Sequence, residues 1–165
     1  MNISKKIKKL FFSKENIISL LVVIFVFVLD RFSKINIINN QLNNKSLFIN
    51  DFLNFDLVWN TGISFGLFSQ NANIYYHIIS ILIFLVIVFL SNFISKANVL
   101  NKALYSLVLG GALGNFYDRL FYFAVPDFID IHINDFHWFT FNIADIFISV
   151  GIVLIIINDY IINKK

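Results

Sequence analysis

D-R-L-F-Y-F-A-V-P-D-F-I-D-I-H-I-N-D-F-H-W-F-T-F-N-I-A-D, residues 118 to 145, joins two strongly apolar segments yet carries five of the ten acidic residues of the chain: Asp118, Asp127, Asp130, Asp135 and Asp145. The segments on either side, about 100–117 and 141–162, are each long and apolar enough to read as membrane helices. Two of the carboxylates, Asp118 and Asp145, therefore fall at or near membrane depth. An ionised carboxylate there costs at least about 2.5 to 3.5 kcal/mol, so each needs a partner or a function.

Composition agrees with that reading. The 165 residues are 58% apolar, with 21 phenylalanines and a mean hydropathy of +0.77, far above the usual share for a soluble domain. Cysteine is absent, which excludes disulfide frameworks, thiol relays, thiolate metal sites and a cysteine nucleophile. The net charge of +3 gains meaning when mapped along the chain. Nine of the thirteen basic residues lie before the first apolar run (Lys5, Lys6, Lys8, Lys9, Lys14), between the second and third (Lys96, Lys102) and after the last (Lys164, Lys165). All acidic residues except Glu15 and Asp159 lie elsewhere, so one side of the membrane is basic and, by the positive-inside rule, cytoplasmic. Beside a membrane segment the N-terminal lysines read as a topology signal, and no nucleic-acid partner is expected.

Four helices are expected, at about 17–38, 74–93, 100–117 and 141–162, within one domain spanning 1–165. The first has the basic start of a secretory signal but no small-residue cleavage site after it, and is read as retained. Asp30 and Lys34 stand i, i+4 at its outer end, acid first, the favourable order for a helix pair or for an interfacial pair that ends the helix. Beyond an asparagine-rich turn, Leu53, Phe55, Leu57 and Trp59 alternate with Asn54, Asp56 and Val58, a strand signature. Ile63, Phe65 and Leu67 alternate again after a turn at 60–62. The fold class expected is a membrane all-α bundle of four transmembrane helices, both termini cytoplasmic, with a small extracytoplasmic β-sheet between helices 1 and 2. Residues 39–73 and 119–140 are then external. In the third helix Gly110, Gly111 and Gly114 form a small-residue face for close packing, leading to Asn115, Asp118 and Arg119. In the fourth, Asn142, Asp145 and Ser149 make a single polar stripe expected to face the bundle interior.

Asp127 is the natural partner for Asp145. Two neighbouring carboxyls cannot easily both ionise, so one keeps its proton while the other serves as base. That arrangement can hydrolyse an amide without a metal, and it can equally relay protons in a transporter. Gly62-Ile-Ser64-Phe-Gly66 matches the G-x-S-x-G elbow, but no α/β-hydrolase sheet is in prospect to present Ser64 as a nucleophile. His77, His132 and His137 lack metal-ligand spacing and read as interfacial or hydrogen-bonded histidines, so no metal and no cofactor is expected. Trp59 and Trp138 suit the headgroup level.

Taken in order, D-R-F-S-K (30–34), N-T-G-I-S-F-G (60–66), G-G-A-L-G-N-F-Y-D-R (110–119), P-D-F-I (126–129) and F-N-I-A-D (141–145) resemble the lipoprotein signal peptidase (signal peptidase II) family over about residues 17–160. The resemblance implies an intramembrane aspartic peptidase that removes the signal peptide of bacterial prolipoproteins just before a diacylglyceryl-modified cysteine. The partners implied are those lipidated substrates and the lipids of the bacterial cytoplasmic membrane, with the active site near the outer face. The family's catalytic aspartates map onto Asp127 and Asp145. Asn115, Asp118, Arg119 and Asn142 map onto the surrounding shell, and Asp30, Lys34, Asn60 and Gly62 match other motif positions. Two departures stand out: Ser64 where alanine is usual, and Pro126 where valine is usual. The small proton-linked transporter remains the alternative from the residues alone.

Overall fold

The computed structural model describes residues 13–40, 46–61 and 72–162. Among them are four helices, α1 (Lys14–Asn40), α2 (Ala72–Lys96), α3 (Val99–Phe121) and α4 (Ile143–Ile162), and four strands, β1 (Leu47–Asn50), β2 (Leu53–Asn60), β3 (Val125–Ile133) and β4 (Phe136–Phe141). The second alternating stretch, Ile63 to Leu67, together with Gly62 and Ser64, lies outside the described residues.

α1, α2 and α4 are long and apolar enough to cross a membrane, and all three expose large apolar side chains along most of their length. α3 differs because it is enclosed: it packs against α1, α4 and α2 and buries Lys102, Ser106, Asp118 and Arg119 as well as its small residues. The glycines make this possible. A Cβ at Gly111 would lie 2.6 Å from the Ala144 carbonyl oxygen, and one at Gly110 would lie 2.7 Å from Val26 Cβ. At the other end of the same helices, Lys102 Nζ reaches Asn16 Oδ1 at 2.6 Å and Glu15 at 3.4 Å, tying α3 to α1. α3 ends where Tyr122 N–H returns to the Asp118 carbonyl at 2.7 Å and Phe123 takes a left-handed φ of 56°.

The sheet is antiparallel in the order β1-β2-β3-β4. β2 is the expected strand, but the sheet does not belong to the connection between the first two helices alone. Half of it, β3 and β4, comes from the stretch read as an external loop between α3 and α4. The signal was present: Ile129, Ile131 and Ile133 alternate with Asp130 and His132, and Asn134, at φ 51°, begins a two-residue turn. The mixed charge of the stretch hid its period. Pro126 is fully buried and paired with Trp59 of β2, yet β4 flanks β3 only from Ile129 onward. Proline is tolerated there because the strand has a neighbour on one side only. Opposite Phe128, β2 bulges by one residue between Phe55 and Val58. Phe128 and Ile129 then pack with Ile37 of α1 and with Leu53, Phe55, Phe141 and Ile143, seating the sheet's apolar face on the bundle.

Candidate active site

Four elements converge where the sheet meets the bundle. α1 brings Asp30, Arg31 and Lys34, and α3 brings Asn115, Asp118 and Arg119. Asn60 ends β2, Asp127 sits in β3, and Asn142 and Asp145 stand at the start of α4. Asp30, Lys34, Asp118, Asp127 and Asn142 are almost wholly removed from solvent.

Asn142 precedes the helix rather than continuing it, which corrects the expected helical stripe. It is the N-cap: its Oδ1 accepts from Asp145 N at 3.0 Å, and the Asp145 carboxylate returns the bond, accepting from Asn142 N at 3.2 Å. This reciprocal pair satisfies backbone donors that a helix start otherwise leaves open. A third such donor, Ala144 N, is taken by Asp30 Oδ1 at 3.0 Å. The first turn of α4 is thus fixed by three side chains, and the Asp145 carboxylate is fixed with it.

The two candidate carboxylates are held by amides. Asp127 accepts from Asn142 Nδ2 at 2.6 Å on one oxygen and from Asn60 Nδ2 at 2.8 Å on the other. Asp145 accepts from Asn115 Nδ2 at 2.8 Å. Asn142 therefore bonds both aspartates. Burial pushes the Asp127 carboxyl up to about 6, against the two amide bonds that lower it, and the nearby Asp145 carboxylate adds to the rise.

Behind the pair lies a buried ionic cluster. Lys34 Nζ bonds Asp30 Oδ2 at 2.8 Å, Asn115 Oδ1 at 2.8 Å and Asp118 Oδ2 at 2.7 Å, using its three protons. Arg31 Nη1 forms an ion pair with Asp118 Oδ1 at 2.6 Å, and its guanidinium lies over the Tyr117 ring. One expectation is corrected here. The Asp30–Lys34 pair does not end the helix, since α1 runs on to Asn40. Asp118 takes its partners from α1, and not from its neighbour Arg119. Arg119 instead lies over Tyr76 of α2, whose hydroxyl donates to the Arg119 carbonyl. It acts electrostatically on both Asp127 and Asp145, while its Nε and Nη1 are buried with no hydrogen-bond partner among the described residues. Arg31 and Tyr76 were not singled out in the sequence. Arg31 could have been, from its place beside Asp30; nothing in the order of residues marks Tyr76.

Asp145 also borders a cleft of about 290 Å³ lined by Phe139, Phe141, Ile146, Ser149 and Val150, where it is the sole charged group among the described residues. A larger cavity of about 410 Å³, near Asn16, Ser91 and Ser106, is lined by no titratable side chain among the described residues. Every site residue named from the sequence other than Gly62 is thus in one connected set.

Known proteins resemble this chain over most of its length. The family model described as signal peptidase (SPase) II matches residues 22–161. The chain is 42% identical over 154 residues to a lipoprotein signal peptidase of Pelagibacter ubique, covering 92% of this chain and 93% of that protein. It is 36% identical over 143 residues to one from Anaplasma phagocytophilum, covering 86% and 90%. Two solved structures described as bacterial membrane enzymes superpose with TM-scores of 0.72 and 0.68, at 33% and 35% identity. Each covers 85% of this chain, and the matches take in 90% and 85% of those chains respectively.

Proposed function

This chain belongs to the signal peptidase II family, and on that premise we propose that Asp127 and Asp145 are its catalytic pair, cleaving bacterial prolipoproteins before a diacylglyceryl-modified cysteine. It is a peptidase and a bacterial membrane protein. The observation that carries the assignment is Asn142, which bonds both carboxylates, together with the burial that raises one of them to about 6. With one proton between them, the ionised carboxylate takes a proton from water while the protonated one donates to the scissile carbonyl. The water oxygen attacks the carbonyl carbon, and collapse of the tetrahedral intermediate breaks the C–N bond as the amine receives a proton. Asn60, Asn115 and Asn142 orient the pair, and the unpaired Arg119 donors are available to the substrate's carbonyls. The relatives are peptidases, so the transporter alternative loses its ground.

The cleft beside Asp145 is apolar and is bordered by a helix that faces lipid, which suits acyl chains held in the bilayer while the peptide reaches the aspartates. Holding the lipid in place aligns the scissile bond. Purified protein should cleave a diacylglyceryl prolipoprotein and leave the same peptide without its lipid essentially uncut. Comparable rates on both would remove the acyl chains from substrate recognition.

The pair should also set the pH profile. The single-proton state is lost as Asp127 ionises, so kcat/KM should fall on the alkaline side with an apparent pKa near 6 belonging to the pair. A profile flat from about pH 5 to about pH 9 would argue against the shared proton.

In the membrane, the single domain 1–165 crosses four times, with α3 shielded by the other helices, both termini cytoplasmic and the sheet and site at the outer face of the cytoplasmic membrane. The basic residues at 5–14, 96–102 and 164–165 support that orientation. Cysteines introduced into this cysteine-free chain test it. Asn43→Cys should react with an impermeant reagent added outside, and Lys96→Cys should not; the reverse pattern would invert the topology.

A further inference from the structure

Strand pairing brings together three side chains that the sequence keeps apart. His132 of β3 and His137 of β4 are register partners, and their rings stack at 5.1 Å with an interplanar angle of 21°. Both Nδ1 atoms face Asp130 Oδ2, at 2.7 Å for His137 and 3.8 Å for His132. The three ligand atoms lie within 4.8 Å of one another. A hydrogen bond between His137 and Asp130 explains the shorter contact and nothing else. His132 Nδ1 remains buried without a hydrogen-bond partner, on a residue only 8% exposed. Asn54, the β2 residue paired with Asp130, likewise has its Oδ1 buried and unpartnered. In its Nε2–H tautomer His132 turns the Nδ1 lone pair toward the Asp130 carboxylate, an arrangement that a cation would satisfy.

We propose that Asp130, His132 and His137 form a binding site for a divalent transition metal of the zinc class. Ligand atoms about 2.0–2.1 Å from a tetrahedral ion lie about 3.3 Å apart, and the two measured separations bracket that value, so closure needs only small side-chain shifts. Two imidazoles with one carboxylate select Zn²⁺, Co²⁺ or Cu²⁺ over Mg²⁺ and Ca²⁺, which take oxygen cages. The His137 side chain is 57% exposed, giving the ion an entry path and a place for water as fourth ligand. The bound ion clasps β4 to β3 three residues beyond Asp127 and takes no part in the cleavage chemistry. The reading does not depend on the proposed peptidase activity.

The test uses the full chain in detergent, purified without a metal-affinity step and stripped with chelator. Equilibrium dialysis against Zn²⁺ alone should load one ion per chain, and Co²⁺ alone should give visible ligand-field bands. Both signals should weaken about tenfold or more in His137→Ala and in Asp130→Asn, and persist in His77→Ala. Saturating Zn²⁺ should raise the apparent Tm of the unsubstituted chain and leave that of His137→Ala unmoved. His137 is at the surface, so that variant is expected to fold even where a change at buried His132 prevents folding. No Zn²⁺ uptake by the unsubstituted chain, or uptake equal in His137→Ala, would overturn the site.

Discussion

Asp127→Asn and Asp145→Asn should each stop cleavage of a lipidated prolipoprotein, the loss reaching about 10³-fold or more, and the double variant should be scarcely worse than either. Residues that act as one unit lose their whole contribution when either is removed, so additivity would itself argue for two separate roles. Asp135→Asn, in the exposed β3–β4 turn, is the control and should remain active. Stability separates chemistry from architecture. Asp127 has a folded-state value near 6 against an ordinary 3.8, so the stability it contributes is complete below about pH 4 and is lost as pH rises through about 6. Above that the ionised carboxylate costs up to about 3 kcal/mol. An amide avoids that cost, and Asn60 can turn its own amide to accept from it. Asp127→Asn should therefore unfold at the same or a higher temperature than the unsubstituted protein near pH 7.5, with the gain vanishing in acid. Asp145 behaves differently because it also caps α4. Its two oxygens accept from Asn142 N and Asn115 Nδ2, and an asparagine can accept only one of these bonds. Asp145→Asn should lose roughly 1 kcal/mol of stability along with its activity. Turnover persisting in either well-folded variant would return these aspartates to a structural role.

What a sequence reveals of this protein depends on where each residue finds its partner. Helix spans could be read because apolar length is local information, and all four appear within a few residues of their expected ends. β2 could be read because Leu53, Phe55 and Leu57 alternate with Asn54 and Asp56. β3 could not, since Pro126 and the charged residues Asp127 and Asp130 disguise a strand whose polar side chains are buried by other elements. The candidate pair and the residues around it were accessible through motif order, but the bonds that join them were not. Asn142 sits three residues from Asp145, the spacing of a capping box, yet it reads equally well as one more polar position on a helix face. Asp118 stands beside Arg119, and sequence adjacency suggests a pair that helix geometry forbids, because neighbours along a helix point about 100° apart. Its real partners come from α1, across a contact that only the glycines of α3 permit.

That contact sets the second large effect. Lys34→Met should leave little folded protein. The methionine is close in volume, so the loss is one of charge. Asp30, Asp118, Arg31 and Lys34 are four buried charges that sum to zero, and removing the ammonium leaves two carboxylates sharing one guanidinium. Breaking a buried pair from one side costs about 3–5 kcal/mol, a large part of the roughly 5–15 kcal/mol that holds a typical domain together. Three further bonds are disturbed with it. Asp30 caps α4 through Ala144 N, and Asn115, which accepts from Lys34, donates to Asp145. The carboxylate proposed as catalytic is thus tied to Lys34 through one amide, and any folded Lys34→Met fraction should also turn over slowly. A second change discriminates charge from shape. Lys34→Met combined with Asp118→Asn restores neutrality around Arg31 and Asp30, so the pair should recover part of the folded yield that Lys34→Met alone loses. Monodisperse protein from Lys34→Met with an unchanged apparent Tm, or a double variant worse than the sum of its parts, would show that the cluster is not held by its charge balance.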